Sequence, residues 1–335
     1  MQLSPMRCLM PSSARRRQQC PLLAAFCASL VDGLARLEST LSSSVSIRWC
    51  ADAMRLVRRM QRDLLAVFRS ADAPVAAADC HGAGDSWLEQ YMQETAALLD
   101  LCNALKSAVS RMHRYCMVVD FAAQVHGCRA GATAASLVAA GTAASEGTDA
   151  PSSAVAVHGK LSDVRAVVSE AERLGRKILS SGGGSVVLVT LVAKITMAVV
   201  ATSVLHALTH TSPLPPLNDE DDVGAGGAHQ CSSALARVAV PEQLRPWRES
   251  LSAINDRVAA LPASIAEHES VATAVRDMIG GKMEGSEDHV ELLRARSGEL
   301  REGVETFDCV LDQVFDEVIR GRNEMLGIFR DKALT

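Results

Sequence analysis

The feature that most constrains this chain is one apolar stretch, Ser185–Leu208. It runs from Val186 through Leu188, Leu191, Val192, Ile195 and Met197 to Leu205 and Leu208. That is about 20 residues, the length of a membrane span. Its few polar residues do not share a face: Thr190 and Lys194 lie together, while Thr196, Thr202, Ser203 and His206 point elsewhere. A helix that is apolar all round must be enclosed by protein or by lipid. The rest of the chain reads as amphipathic helix, which needs a surface to pack on. Either the chain folds around the stretch, or the stretch divides it.

Composition favours helix throughout. Aromatic residues make up 3% of the 335 residues and hydrophobic residues 48%, enough for a sizeable core without the aromatic enrichment of sheets. The formal net charge of −5 and pI near 6.0 give no basic excess that would mark a nucleic-acid partner. The ten cysteines include no C-x-x-C pair, and Cys102 and Cys309 sit in helical apolar patterns, as buried reduced thiols do.

Taken in order, residues 1–20 read as a disordered arm, and Pro21 is a good first helical residue. Residues 21–126 form the N-terminal helices. The first ends at the Ser42-Ser43-Ser44 cluster. Ser46 caps the second, which runs to Phe68 or Arg69, and Ser86 with Glu89 forms a capping box for the third. The third helix buries Leu98, Cys102, Leu105, Val109, Met112, Cys116 and Val119 and stops at Gly127. Residues 127–153, rich in Ala, Gly, Ser and Thr, read as a linker. Residues 154–209 hold a fourth helix, Val155–Leu179, and then the apolar helix. Residues 210–240 form an acidic, Pro- and Gly-containing loop. Residues 241–332 return to the same bundle, starting at Pro241 and passing a helix capped by Ser264. The last helix, from near Ser286, carries Leu300, Val304, Phe307, Leu311, Val314, Val318, Gly321, Met325 and Ile328 at steps of four and three. That heptad seam suits either a bundle core or a partner-binding helix. The architecture expected is all-α: a multi-helix bundle of long antiparallel helices around a central apolar helix.

Two features invite functional readings. In the second helix, Arg55, Arg58, Arg59 and Arg62 form one stripe opposite the apolar face. Such a stripe is either a solvated outer face or a contact for anionic lipid or an acidic partner. The apolar helix itself, with Val186, Leu191, Lys194, Met197, Leu205 and Leu208, is either a core helix or a membrane helix. Arg173, Arg176 and Lys177 before it and the acids after it would orient a span with its N-terminal side in the cytosol. Lys194 opposes a span, since a lysine near the bilayer centre costs about 2.5–3.5 kcal/mol. A span would also separate residues 22–180 from 240–330 and leave each half to bury its apolar faces alone. The buried helix is the expectation.

Catalysis needs clustered titratable groups, and the nine histidines are scattered. His206 and His210 lie at i, i+4 without further ligands. Gly182-Gly183-Gly184 fits no phosphate-loop pattern and reads as a hinge. No cofactor, metal or small-molecule substrate is expected. Arg15-Arg16-Arg17 ahead of an acid-poor apolar run reads three ways: a cytosolic helix, a plastid-type transit peptide, or a secretory signal. The cytosolic helix is favoured because Leu30, Leu34, Leu37 and Leu41 continue the run amphipathically. Localisation is therefore expected to be cytoplasmic, with association to or anchoring in a membrane, and plastid as the alternative.

Ser86-Trp87-Leu88-Glu89-Gln90-Tyr91-Met92 and Leu98-Leu99-Asp100-Leu101-Cys102-Asn103-Ala104-Leu105-Lys106 resemble the plant BYPASS-like (ROH-like) family. Trp49, the apolar helix, Arg245-Pro246-Trp247 and Val314–Glu324 are similar to that family as well. The first 20 residues and the 127–153 linker depart from it. The resemblance implies a plant regulatory protein without enzymatic activity, one that restrains a root-derived signal acting on the shoot. It also implies protein partners, an exocyst subunit among them, and supplies no catalytic residues. Against this adaptor reading stand a single-pass membrane component and, from another class, an enzyme of a signal-metabolite pathway. The enzyme reading requires a pocket with converging polar groups and shifted pKa values.

Overall fold

A computed structural model describes residues 13–70, 87–128, 185–209, 242–262, 264–279 and 287–333. Seven α-helices make up the described residues: α1 Ser13–Thr40, α2 Ile47–Ser70, α3 Trp87–Cys128, α4 Ser185–Thr209, α5 Arg245–Ala260, α6 Ala266–Ile279 and α7 Glu287–Ala333. A single 3-10 turn, Glu242–Leu244, leads into α5. The all-α expectation holds. Helix α3 continues through Gly127 to Cys128. Residues 129–153 of the expected linker, the 155–179 helix, the 210–240 loop and the Ser86 cap lie outside the described residues.

Helix α1 begins at Ser13, eight residues ahead of the start expected at Pro21, so residues 13–20 are helix rather than disordered arm. Ala14-Arg15-Arg16-Arg17-Gln18-Gln19 are all strong helix formers, and a proline within the chain did not outweigh them. The α-helix expected from Pro241 begins at Arg245, after the 3-10 turn, and α6 begins at Ala266, two residues after Ser264. Other local signals agree with the structure. The Ser46 hydroxyl accepts the Trp49 N–H at 3.1 Å, an N-cap bond. Pro246 sits in the first turn of α5. The seam of α7 is enclosed from Leu300 to Met325, with Ile328 half-buried.

Helix α2 is enclosed on more than one side. Its apolar residues extend beyond the face expected to Met54 and Leu65, so it packs against α1, α4 and α7 at once. Helix α7 lies on α2, α3 and α6, and α4 lies on α2, α3 and α5. Antiparallel pairing holds for α3 and α7: Arg322 reaches the Met92 carbonyl, Lys106 meets Asp308 at 3.1 Å, and Asp120 meets Arg301 at 2.7 Å. Helices α2 and α7 depart from it. Arg58–Gln313, Arg62–Glu317 and Arg69–Glu324 share one offset of 255 residues, so these two helices run in the same direction, in register.

The α1–α2 and α5–α6 turns are tied together. Val45 and Ile265 form an isolated parallel bridge, with the Ala266 N–H on the Val45 carbonyl at 2.9 Å. Glu267 Oε2 accepts the Ile47 N–H at 3.1 Å, so a carboxylate of α6 caps α2. Arg257 donates to the Glu38 carbonyl at 3.0 Å and to that of Leu41, closing the C-terminal end of α1.

Candidate functional site

The apolar helix is where sequence and structure can be compared most directly. Leu188–Leu208 is long and apolar enough to cross a membrane, with a mean hydropathy of 2.1, and 83% of that window is buried inside the bundle. Leu191, Met197, Leu205 and Leu208 are buried; Val186 lies in the first turn of α4, and its side chain is outside the described residues. Two buried hydroxyls are satisfied within the helix: Thr196 Oγ1 donates to the Val192 carbonyl at 2.7 Å and Ser203 Oγ to that of Val199 at 2.9 Å, whereas the buried Thr202 Oγ1 has no hydrogen-bond partner among the described residues. Thr196 Oγ1 also accepts the indole N–H of Trp247 at 2.8 Å. Arg245-Pro246-Trp247 thereby has a physical role. Proline starts α5 and the tryptophan pins it to α4. Trp49 acts similarly, donating its indole N–H to the Leu37 carbonyl at 3.0 Å and joining α2 to α1.

Lys194 does not stand in an apolar medium. Its ammonium lies 3.3 Å from Glu94 of α3, with side-chain exposures of 23% and 13%. Gln61, Leu64, Tyr91, Thr95 and Met197 surround the pair and leave no space large enough for a water molecule. The Gln61 amide nitrogen faces Met197 Sδ at 4.0 Å, and its buried Oε1 has no hydrogen-bond partner among the described residues. A closed ion pair of this kind fixes the register of α4 against α3 more than it stabilises the fold. Glu94 and Gln61 were invisible as partners in the sequence, because their spacing says nothing about which distant cation they meet.

The arginine stripe is divided. Arg62 meets Glu317 at 3.1 Å, Arg58 donates to Gln313, and Arg55 pairs with Asp52 of its own helix at 2.6 Å. Only Arg59 is exposed with no partner among the described residues. The stripe is chiefly a seam between α2 and α7. Glu317 is its buried centre. Burial pushes its carboxyl pKa up, but hydrogen bonds from Arg62 and Arg320 outweigh that and hold it below the usual value.

Cys50, Cys102 and Cys116 are buried, whereas Cys309, expected inside a helical apolar pattern, is exposed. Burial pushes Cys102 up to about 12 and Cys116 to about 11, so both stay protonated and unreactive at neutral pH. Tyr115 stacks on His268, ring centroids 4.7 Å apart, and burial lowers the imidazole pKa. Among the described residues, no three His, Cys, Asp or Glu side chains gather as a metal site would require. His210, the partner considered for His206, lies outside them. Among the described residues, the large hydrophobic side chains most open to solvent are Met117 and Phe121 of α3 and Leu326 of α7.

No protein-family profile matches the chain, and no solved structure matches it. Over 130 residues it is 26% identical to UPF0496 protein 4 of Oryza sativa subsp. indica, and equally to UPF0496 protein 4 of Oryza sativa subsp. japonica. The matched region is 38% of this chain and 27% of each relative, so the chain spans about a quarter of the length of the curated relatives it matches.

Proposed function

We propose that this protein is a helical regulatory adaptor of the BYPASS-like kind, which works by binding protein partners at a membrane surface rather than by catalysis. The carrying observation is how the bundle distributes its groups. The charged groups between α2, α3, α4 and α7 are engaged with one another, whereas bulky apolar side chains stand outside on α3 and α7. Exposed apolar groups on a rigid scaffold serve recognition. The resemblance supports a role in root-to-shoot signalling and an exocyst subunit as one partner, and rice relatives agree with a plant setting.

Proximity labelling in plant cells tests the adaptor reading. Recovery of a reproducible protein set, lost when the outward-facing apolar side chains are made polar, is the expected result. A set unchanged by those substitutions would overturn it.

The second reading, a single-pass membrane component, is favoured by the length and hydropathy of Leu188–Leu208. Carbonate extraction separates the two. The buried-helix reading puts the protein, and its Lys194→Leu variant, in the supernatant. Carbonate resistance together with modification of a glycosylation acceptor introduced near Gly226 would establish the span.

A further inference from the structure

The arginines of α2 are largely used by α7, so an anionic partner must be met by other cations. Two stand one turn apart on α3: Arg111, half-buried, and Arg114, exposed, neither with a hydrogen bond or ion pair among the described residues. Burial and then the like charge of Arg114 hold the Arg111 guanidinium below its ordinary pKa. An unneutralised pair of this kind gains from a counter-anion brought from outside.

One turn further on, Met117 is 69% and Phe121 61% exposed, the highest values for large hydrophobic side chains among the described residues. At 3.6 residues per turn, positions 111, 114, 117 and 121 fall within one stripe on the side of α3 away from its core residues Met112, Cys116, Val119 and Ala123. The stripe is free of carboxylates. Between Asn103 and Gln124 the only acid is Asp120, which is turned to α7 and held by Ser297 and Arg301 at 2.7 Å each. On the neighbouring α6, Glu269 is neutralised by Arg276 at 2.7 Å.

We infer that this ridge of α3 docks on an anionic lipid bilayer, with Phe121 and Met117 entering the boundary between headgroups and acyl chains and Arg111 and Arg114 meeting lipid phosphates. The inference rests on the membrane-surface reading above and names the surface that makes the contact. The shape of the site selects lipid over an acidic peptide. The side chains protrude from a convex helix, and a peptide would need a groove to seat in, whereas a bilayer accepts a protruding apolar wedge flanked by long cationic stems.

The test is co-sedimentation of the full chain with phosphatidylserine-containing and pure phosphatidylcholine vesicles, at low and high salt. Binding should be selective for the anionic vesicles. Met117→Ser/Phe121→Ser should weaken it about tenfold or more at either salt concentration. Arg111→Gln/Arg114→Gln should weaken it about tenfold at low salt and little at high salt. Arg59→Gln, an exposed arginine on another face, should bind as the parent does, and unchanged melting curves show that the variants are folded. Parent-like binding by either double variant, or equal binding to pure phosphatidylcholine, overturns the inference. Failure of the parent to bind vesicles while it captures poly-glutamate through the same residues also overturns it, in favour of an acidic protein partner. Loss of vesicle binding alone leaves the adaptor reading to be decided by the proximity labelling.

Discussion

Glycines on α7 offer a test of the parallel α2–α7 packing that is independent of charge. Gly303 is buried, and a Cβ placed on it would lie 2.3 Å from Ile47 Cγ2, with Ile47 Cβ at 3.6 Å. Ile47 is fully enclosed and its N–H is held by Glu267, so the first turn of α2 cannot shift cheaply. Gly298, on the same helix, has nothing within 4 Å of that position. Both substitutions to alanine gain the same helix propensity, about 0.8–1 kcal/mol. Only Gly303→Ala overpacks a core, at about 1–3 kcal/mol. Gly298→Ala should therefore stabilise the protein by just under 1 kcal/mol, and Gly303→Ala should be neutral to about 2 kcal/mol destabilising. Urea denaturation followed by circular dichroism reads both. Ile47→Ala removes the obstructing methyl, and in that background Gly303→Ala should become stabilising, a coupling of about 1–3 kcal/mol. If Gly303→Ala stabilises the parent as much as Gly298→Ala does, α7 does not pass against the start of α2 and the packing described here is wrong.

Thr196→Val should lower stability by about 1–3 kcal/mol, because it leaves the buried Trp247 indole N–H without an acceptor, while Thr196→Ser should retain most of it; urea midpoints decide. Arg62→Glu brings a carboxylate to the buried Glu317 and should cost about 0.5–1 kcal/mol, the scale of a half-exposed pair, whereas Arg59→Glu should change stability by less than about 0.5 kcal/mol. Equal effects would return the stripe to a solvated face. Glu317 has a folded pKa below its unfolded one, so its contribution is present above the ordinary glutamate range and is lost as the pH falls through the folded value. Melting temperatures measured downward from pH 5 should fall less steeply for Glu317→Gln than for the parent, and parallel curves would rule out that linkage.

How much of this was legible beforehand divides along a physical line. Helical period and caps are local, so the seam from Leu300 to Met325, the Ser46 cap and the all-round burial of α4 follow from residues close in the chain. The partner of each face is not local. The run Arg58, Arg62 and Arg69 is compatible with water, lipid or a second helix, and only the common 255-residue offset reveals α7. Lys194 was legible as a cost to a membrane span, but Glu94, which answers it, was not. The cations and apolar side chains on the outer face of α3 are masked in the sequence for a related reason. Arg111 and Arg114 sit among apolar residues that continue the core pattern, and only solvent exposure separates Met117 and Phe121 from Met112 and Cys116.

The parallel pairing of α2 with α7 has a consequence for synthesis on the ribosome. Arg62 waits for Glu317 across 255 residues, and Ile47 for Glu267 across 220. At about 5–20 residues per second, the α2–α7 interval lasts about 13–50 s. During that time the apolar sides of α2 and α4 have left the ribosome, but the helix that closes over α2 has not been made. Helices form in microseconds, so the nascent chain is ready to pack long before its partner exists. Substitutions that are mild in the finished protein, on the face of α2 that receives α7, should therefore show first as lower yield or chaperone retention in cells rather than as a lower melting temperature.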